Sequence, residues 1–201
     1  MRDSLRIILP LYLLAFFVVA FLWRSLSVYK RTGVNPYVVR GDLDRPIDFV
    51  GVLYRVPAAL LVFVTLAFAF SPRVYEFTTP IVWLENSAIQ IAGLVVMTAG
   101  IVWTALAQFH MGNAWRIGID AENRTELIER GLFSISRNPI FLGNRVTLLG
   151  FFLAMPNAVT LVAAVMADVL IQVQVRLEEE FLTGAHGDKY RDFCGRVRRW
   201  I

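Results

Sequence analysis

Three polar groups in this sequence stand directly against apolar segments, where a charged side chain is costly unless it has a partner or a function. Arg137, Asn138 and Pro139 form the first group, just before an apolar run that starts at Ile140. Proline suits the first turn of a helix and asparagine its cap, and the free amides of such a helix start can hold a carboxylate or a phosphate. A plain helix start without a ligand explains the same residues equally well.

The second group is a run of three carboxylates, Glu178, Glu179 and Glu180, at the end of another apolar run. Successive helix positions project about 100° apart, so the three cannot all face one ligand. Acidic side chains on an otherwise basic face favour a cationic ligand or the basic residues of the tail. A solvated helix face is the equally weighted alternative.

The third group is a pair of opposite charges inside apolar segments. Arg145 precedes Pro156 by 11 residues and Asp168 follows it by 12. A helical hairpin that turns at Pro156 therefore brings both side chains to a similar depth, where they can form an ion pair. A structural pair that closes the hairpin is favoured, and a direct part in a site stays open.

Other catalytic and metal-binding patterns are missing from the sequence. His110 and His186 lack metal-ligand spacing, and the single cysteine, Cys194, excludes an internal disulfide and a multi-cysteine metal site. No serine nucleophile elbow, Walker loop or GxGxxG fingerprint occurs. We therefore predict no metal site and no cofactor domain of the soluble type.

Composition indicates which elements position these groups. Hydrophobic residues make up 57% of the 201 residues and charged residues 18%, with a mean hydropathy of +0.57, which is typical of a membrane protein. We predict an all-α, polytopic integral membrane protein with about five transmembrane helices, the fourth short and joined to the fifth in a hairpin at Pro156-Asn157. The apolar runs cover residues 5–28, 49–70, 87–107, 140–154 and 158–175.

The distribution of basic residues predicts the orientation of the chain in the membrane. With five spans, and with Arg24, Arg55 and Arg145 counted to the nearer side, 17 of the 20 Lys and Arg fall on the side of the loops 29–48 and 108–139 and the tail. We therefore expect a multi-pass protein of a bacterial inner membrane, with the N-terminus outside and the C-terminus cytoplasmic. The pI near 9.6 fits this bias and anionic lipid headgroups, and it requires no nucleic acid partner.

The tail is predicted to continue the fifth helix and then to form a second, amphipathic helix. Strong helix formers cover residues 176–182, and Gly184 and Gly187 should stop that helix. The second helix should lie on the membrane face with one apolar stripe, formed by Tyr190, Phe193, Val197 and Trp200.

Residues 108–201 resemble the isoprenylcysteine carboxyl methyltransferase family and its bacterial relatives, integral-membrane enzymes that use S-adenosylmethionine. The stretch "ELIERGLFSISRNPIFLG" is similar to that family's element ending in Arg-His/Asn-Pro-x-Tyr-x-Gly, and "EEEFLTGAHGDKYRDF" is similar to its Glu-Glu-x-x-Leu and Gly-x-x-Tyr-x-x-Tyr/Phe tail. "VRRW" matches its closing Val-x-Arg-aromatic. Asn138 stands where the eukaryotic enzymes have His, and Phe141 stands where Tyr is usual.

No internal repeat or Gly/Ser linker divides the chain, so we predict one integral membrane domain. The resemblance implies three spans in residues 1–107 and a catalytic region in residues 108–201. It also implies a cytoplasmic S-adenosylmethionine pocket, formed by the 108–139 loop and the C-terminal tail. The implied cofactor contacts are Leu127, Gly131 and Leu132 at the adenosine end, Arg137, Asn138 and Pro139 at the polar end, Phe141 and Gly143 in the wall, Glu178 and Glu179 near the amino or ribose groups, and Tyr190 and Arg199 closing the pocket.

Methyl transfer from a sulfonium needs reactants that are close, aligned and dry more than it needs a strong acid or base. A carboxylate acceptor would be oriented by Arg116 or by a tail arginine such as Arg199. An amine or hydroxyl acceptor would need a base, for which Glu180 is the candidate. Trp115 and Arg145 are the predicted contacts to a lipophilic acceptor, a prenylcysteine-type carboxylate or another lipid. An interfacial aromatic and a headgroup-binding arginine would explain Trp115 and Arg116 equally well.

Two other functions stay open at this point. One is an NADPH-dependent membrane reductase of the sterol type, and the other is a non-enzymatic transporter or scaffold in which Arg145 and Asp168 form a gate or an assembly contact. The lack of inverted repeats argues against a transporter. The identity of the acceptor, the choice between O- and N-methylation and the oligomeric state are left undecided by the sequence.

Overall fold

Helices account for nearly all regular structure in the computed structural model, which describes residues 2–38, 41–118 and 126–201. Four helical segments are long and apolar enough to cross a membrane: Arg2–Thr32, Pro46–Phe70, Ser87–Ala114 and Ala158–His186. The shorter apolar helix Pro139–Ala154 lies between the last two. The predicted all-α, polytopic membrane protein, with a short fourth helix among about five, is confirmed. The division at residue 107 stays a prediction.

The α-helices in chain order carry the labels used below. They are α1 (Arg2–Phe17), α2 (Arg24–Thr32), α3 (Pro46–Leu53), α4 (Arg55–Phe70), α5 (Pro72–Glu76), α6 (Ser87–Met111), α7 (Pro139–Ala154), α8 (Ala158–His186) and α9 (Asp188–Arg196). A π-helical stretch, Val18–Trp23, joins α1 to α2, so the first span is continuous. A 3-10 turn, Gly112–Ala114, extends α6 into the region predicted as a loop.

The predicted hairpin turns where the sequence breaks the apolar run. α7 ends at Ala154 and α8 begins at Ala158, and the fully buried Asn157 caps α8 because its side chain accepts a hydrogen bond of 2.9 Å from the Thr160 amide. Its amide nitrogen also donates to the Met155 carbonyl at 3.1 Å. Asn157 therefore fixes both sides of the turn.

Glycines let α6 and α7 approach backbone to backbone. A Cβ on Gly150 would lie 2.7 Å from the Gly93 carbonyl oxygen, and one on Gly100 would lie 2.6 Å from the Thr147 amide nitrogen. Such distances leave no room for a side chain, which is the small-residue packing used between membrane helices. The contact fixes the direction of α7 and hence the position of its first turn.

The main apolar core lies between the first, second, third and fourth spans. Both α1 and α8 pack against α4. The buried side chains of this core are Leu5, Leu9, Val64, Ala67, Phe68, Tyr75, Met97, Phe151, Ala154 and Met155.

The tail differs from its prediction in two respects. Gly184 does not stop α8, which continues to His186 and ends at Gly187, where a φ of 56° suits glycine. α9 ends at Arg196, and its apolar side faces protein rather than membrane, since Tyr190 and Phe193 are each 2% exposed. The apolar stripe of α9 therefore packs on the protein itself, and the place of the helix on the membrane face stays a prediction.

Candidate functional site

Glu179 on α8 joins the segment before α7 to the C-terminal tail. Its Oε1 accepts a hydrogen bond of 3.0 Å from Asn138 Nδ2 and lies 3.4 Å from Arg137 Nη2. Arg199 approaches the same carboxylate with two nitrogens, Nη2 at 2.8 Å from Oε2 and Nε at 3.1 and 3.2 Å from the two oxygens. We call these four residues, Arg137, Asn138, Glu179 and Arg199, the Glu179 cluster.

Backbone contacts hold the same two segments together. The Arg137 amide donates to the Arg198 carbonyl at 2.9 Å, and the fully buried Ser136 donates through its hydroxyl to the Arg199 carbonyl at 3.2 Å. The Arg137 and Glu179 side chains are only 14% and 12% exposed. Within the described residues, the predicted meeting of the inner connector and the tail is therefore present.

The side chain of Asn138 binds the Glu179 cluster and not the first turn of α7. It stands at the capping position of α7, but its side chain makes no capping hydrogen bond and points to Glu179 instead. Pro139 occupies the first turn of α7 as predicted, since it lacks the amide hydrogen that would otherwise need a partner. The predicted place of Asn138 at the cap of α7 is confirmed, but its side chain binds Glu179 and not the helix amides.

The cluster carries two arginines against one carboxylate. The hydrogen bonds to Glu179 raise the pKa of Arg199, so this side chain stays charged. Burial, with a further contribution from the charge of Glu179, raises the pKa of Tyr190 well above its usual value and keeps its hydroxyl protonated. In the part of the chain that the structure describes, the buried Nε of Arg137 has no hydrogen-bond partner, which leaves one donor for an anionic group.

The predicted ion pair between Arg145 and Asp168 is confirmed. Arg145 Nε lies 2.5 Å from Asp168 Oδ1, which links α7 to α8 across the hairpin. The Arg145 guanidinium also lies over the Trp200 ring, 4.6 Å from its centroid. Trp200, which was predicted on an apolar helical stripe, thus follows the end of α9 and docks the tail on the ion pair.

A double-mutant cycle at this pair should show coupling. Because removing either partner leaves the other charge unpaired, Arg145→Ala and Asp168→Ala should each lower the stability, and the double variant should lose less than the sum by about 0.5–3 kcal/mol. Thermal unfolding of the four proteins in one detergent measures the coupling. Strict additivity would show that the two side chains act independently.

The residues predicted near the adenosine end lie where the connector meets α6 and the tail. Leu127 packs against the apolar cluster of Tyr190, Phe193 and Val197. The Leu132 amide donates to His110 Nδ1 at 3.3 Å. Gly131 has a φ of 62°, and a Cβ there would lie 2.6 Å from the His110 ring, so only glycine fits this turn.

Several predicted residues lie outside the Glu179 cluster. Glu178 accepts a hydrogen bond of 2.8 Å from Gln174, one helical turn earlier, whereas Glu180 is exposed. Phe141 is half-buried on α7. Gly143 borders α6, since a Cβ there would lie 3.0 Å from the Thr104 amide nitrogen, so its predicted place in a cofactor wall stays a prediction.

Trp115 and Arg116 belong to the connector that follows the end of α6. Trp115 is 3% exposed and therefore does not sit as an interfacial aromatic. Arg116 Nη1 donates to the carbonyls of Asn113 and Trp115 at 2.8 and 2.9 Å. The neighbouring Ile117 exchanges backbone hydrogen bonds with residues 36–38. Residues 119–125 of the predicted pocket loop lie outside the described residues.

Two contacts of the site could not be predicted from the sequence. Ser136 gave no signal beyond being a small polar residue near Asn138, and its role follows only from its burial against the tail. The docking of Trp200 on Arg145 depends on where the tail runs after α9, which spacing along the chain does not determine.

Comparison with known proteins gives one family. A family model described as phospholipid methyltransferase (PEMT) matches residues 88–189, just over half of the 201-residue chain. The match runs from α6 to the first residues of α9, so it includes three members of the Glu179 cluster and ends before Arg199. No curated protein matches the chain.

Proposed function

Because the chain belongs to the phospholipid methyltransferase family, we propose that it transfers a methyl group from S-adenosylmethionine to a lipophilic acceptor beside the Glu179 cluster. The chain is a multi-pass membrane methyltransferase that acts on lipid, and the resemblance to integral-membrane methyltransferases is confirmed. One observation carries the finer proposal: Glu179 ties two segments that are distant in sequence into one cluster at the end of the spans.

The described residues of the cluster fit the polar end of S-adenosylmethionine. That end carries a carboxylate and an ammonium group, and the cluster offers an unpartnered buried donor, Arg137 Nε, next to the carboxylate of Glu179. Charge-assisted hydrogen bonds of this kind are the stronger ones. When bound, the cofactor supplies an electrophilic methyl group on a sulfonium.

The protein's part is then to orient the reactants and to exclude water. We assign Asn138 and Arg199 to holding Glu179 in place, which makes Arg199 a positioning residue. Tyr190, buried and protonated, closes the tail side. The predicted adenosine end at Leu127, Gly131 and Leu132 is supported by the contact of Leu127 with the Tyr190 cluster.

The acceptor is proposed to come from the bilayer, since the cluster stands at the ends of apolar helices. A carboxylate acceptor of the prenylcysteine type would be oriented by Arg116, and an amine or hydroxyl acceptor would use Glu180 as base. Arg145 already binds Asp168 and Trp200, so we assign it to docking the tail and not to the acceptor. The family match favours methyl transfer over the NADPH-dependent reductase and the transporter.

We propose that the cluster faces the cytoplasm of a bacterial inner membrane, with the N-terminus outside. The proposal is supported by the bias of 17 of the 20 basic residues to that side. A water-soluble cofactor would then reach the cluster from the cytosol, where it is made available to enzymes.

Ligand binding tests the proposed function. The purified protein in mild detergent should bind S-adenosylhomocysteine with a Kd on the order of micromolar, about −8 kcal/mol, and should not bind NADPH. Isothermal titration calorimetry with both ligands measures this. Binding of NADPH without binding of S-adenosylhomocysteine would favour the reductase and overturn the proposal.

A further inference from the structure

A buried arginine in the first span has no counter-charge among the residues that the structure describes. Arg24 is 4% exposed, and its Nη2 donates to the Gly112 carbonyl at the end of α6. Its Nε is buried without a hydrogen-bond partner, and no carboxylate in residues 2–38, 41–118 and 126–201 forms an ion pair with it. A buried cation without a partner is costly and is retained in membrane helices mainly for a function.

A second unsatisfied polar group lies one turn away. Gln108 is 2% exposed, and its Nε2 donates to the Ala20 carbonyl at 2.8 Å. Its Oε1 is buried and has no hydrogen-bond partner in the described part of the chain. Ala20 lies one turn before Arg24, and Gln108 lies one turn before Gly112. The side chains of Arg24 and Gln108 are therefore about one helical turn apart along the helices. The first and third spans therefore present an unused cationic donor and an unused acceptor together.

A separate apolar groove lies between the same two helices, nearer their middle. It has a volume of about 270 Å³ and is lined by Leu11, Tyr12, Ala15, Thr98, Ile101 and Val102. The helices run in the same direction, since Tyr12 bonds Thr98 at 2.6 Å and Arg24 bonds Gly112. Ala15 and Arg24 are nine residues apart, roughly 13 Å along a helix, which is close to one leaflet's share of a hydrocarbon core of about 30 Å.

We propose that Arg24 and Gln108 bind the headgroup of one phospholipid, whose acyl chain lies in the groove between α1 and α6. The phosphate accepts hydrogen bonds from Arg24, and a hydroxyl or amine of the headgroup donates to Gln108 Oε1. Arg24 then donates to the phosphate in place of the neutral Gly112 carbonyl, because a guanidinium makes stronger hydrogen bonds with an anionic acceptor. Because Arg24 is enclosed, the Gly112–Ala114 turn must move aside for the headgroup. The inference concerns binding and does not depend on methyl transfer.

Lipid binding to delipidated protein in neutral detergent tests the proposal. Dioleoyl phosphatidylglycerol should raise the melting temperature of the wild type, and Arg24→Gln should weaken its binding at least tenfold by native mass spectrometry. Arg31→Gln, which removes an exposed charge from the same helix, should bind as the wild type does. Without lipid, Arg24→Gln should be no less stable than the wild type, since the variant removes an unpaired buried charge.

Two further ligands separate the contribution of the lipid headgroup from that of the acyl chains. Dioleoylglycerol, which lacks the phosphate, and inorganic phosphate, which lacks the chain, should each bind at least tenfold more weakly than the phospholipid. Ala15→Phe fills the groove at an exposed position and should also weaken phospholipid binding, which keeps the test available if Arg24→Gln does not fold. Equal phospholipid binding by the wild type and either variant, or equal binding of any of the three ligands, would overturn the proposal.

Discussion

Glu179→Gln is expected to abolish measurable binding of S-adenosylhomocysteine, with a loss of at least about 100-fold in affinity. The substitution removes the carboxylate that Arg137, Asn138 and Arg199 share and leaves two guanidinium groups together without their counter-charge. A 100-fold loss of affinity corresponds to about 2.7 kcal/mol. Removing one partner of a buried pair costs about 3–5 kcal/mol of folding stability, so Arg137 and Arg199 should no longer hold the positions that the ligand needs. Calorimetric titration of wild type and variant measures the change.

The matched control for this substitution lies on the tail. Asp192 is exposed on α9, and Asp192→Asn makes the same change of charge without touching the Glu179 cluster. It should bind S-adenosylhomocysteine as the wild type does. The melting temperature of each variant without ligand separates a loss of binding from a loss of fold. An unaltered affinity in a folded Glu179→Gln protein would remove the cluster from the cofactor site.

Gly150→Ala should cause a large loss of stability for a substitution that adds only one methyl group. The new methyl carbon would lie 2.7 Å from both the Gly93 oxygen and the Met97 Cα, and backbone atoms cannot rotate out of its way as a side chain could. Overpacking of this kind costs about 1–3 kcal/mol or more, which lowers the melting temperature by roughly 3–10 °C in a chain of this size. Thermal unfolding in detergent measures it.

Gly184→Ala is the natural comparison for Gly150→Ala. Nothing lies within 4 Å of a Cβ at Gly184, which is also helical. Its replacement should stabilise the protein by about 0.4–1 kcal/mol, because alanine restricts the unfolded chain. If Gly150→Ala were as stable as Gly184→Ala, the backbone-to-backbone packing of α6 and α7 would be disproved.

The helices and the hairpin were predictable because their signals are local. Long apolar runs fix the spans, Pro156-Asn157 fixes the turn, and the nearly equal spacing of Arg145 and Asp168 around that turn fixes their pairing. Each of these inferences needs only helix geometry and the cost of a charge in an apolar setting.

The choice among neighbouring carboxylates was not predictable. Helix geometry excludes a shared ligand for Glu178, Glu179 and Glu180, but the one that faces the tail depends on the rotation of α8 and on the path of Arg199 after α9. The same limit applies to Arg24, which counted in the sequence only toward orientation. Its burial follows from the packing of α2 on the end of α6.

The end of the chain is held by two carboxylates, Asp168 and Glu179, and both lie on the continuous helix α8. Asp168 and Glu179 are eleven residues apart, about three turns, so they lie on one side of the helix, roughly 16 Å from each other. Arg199 binds Glu179 directly. Trp200 stacks on Arg145, which in turn binds Asp168. Because α8 is one continuous helix, any change in its tilt moves both of these contact points together.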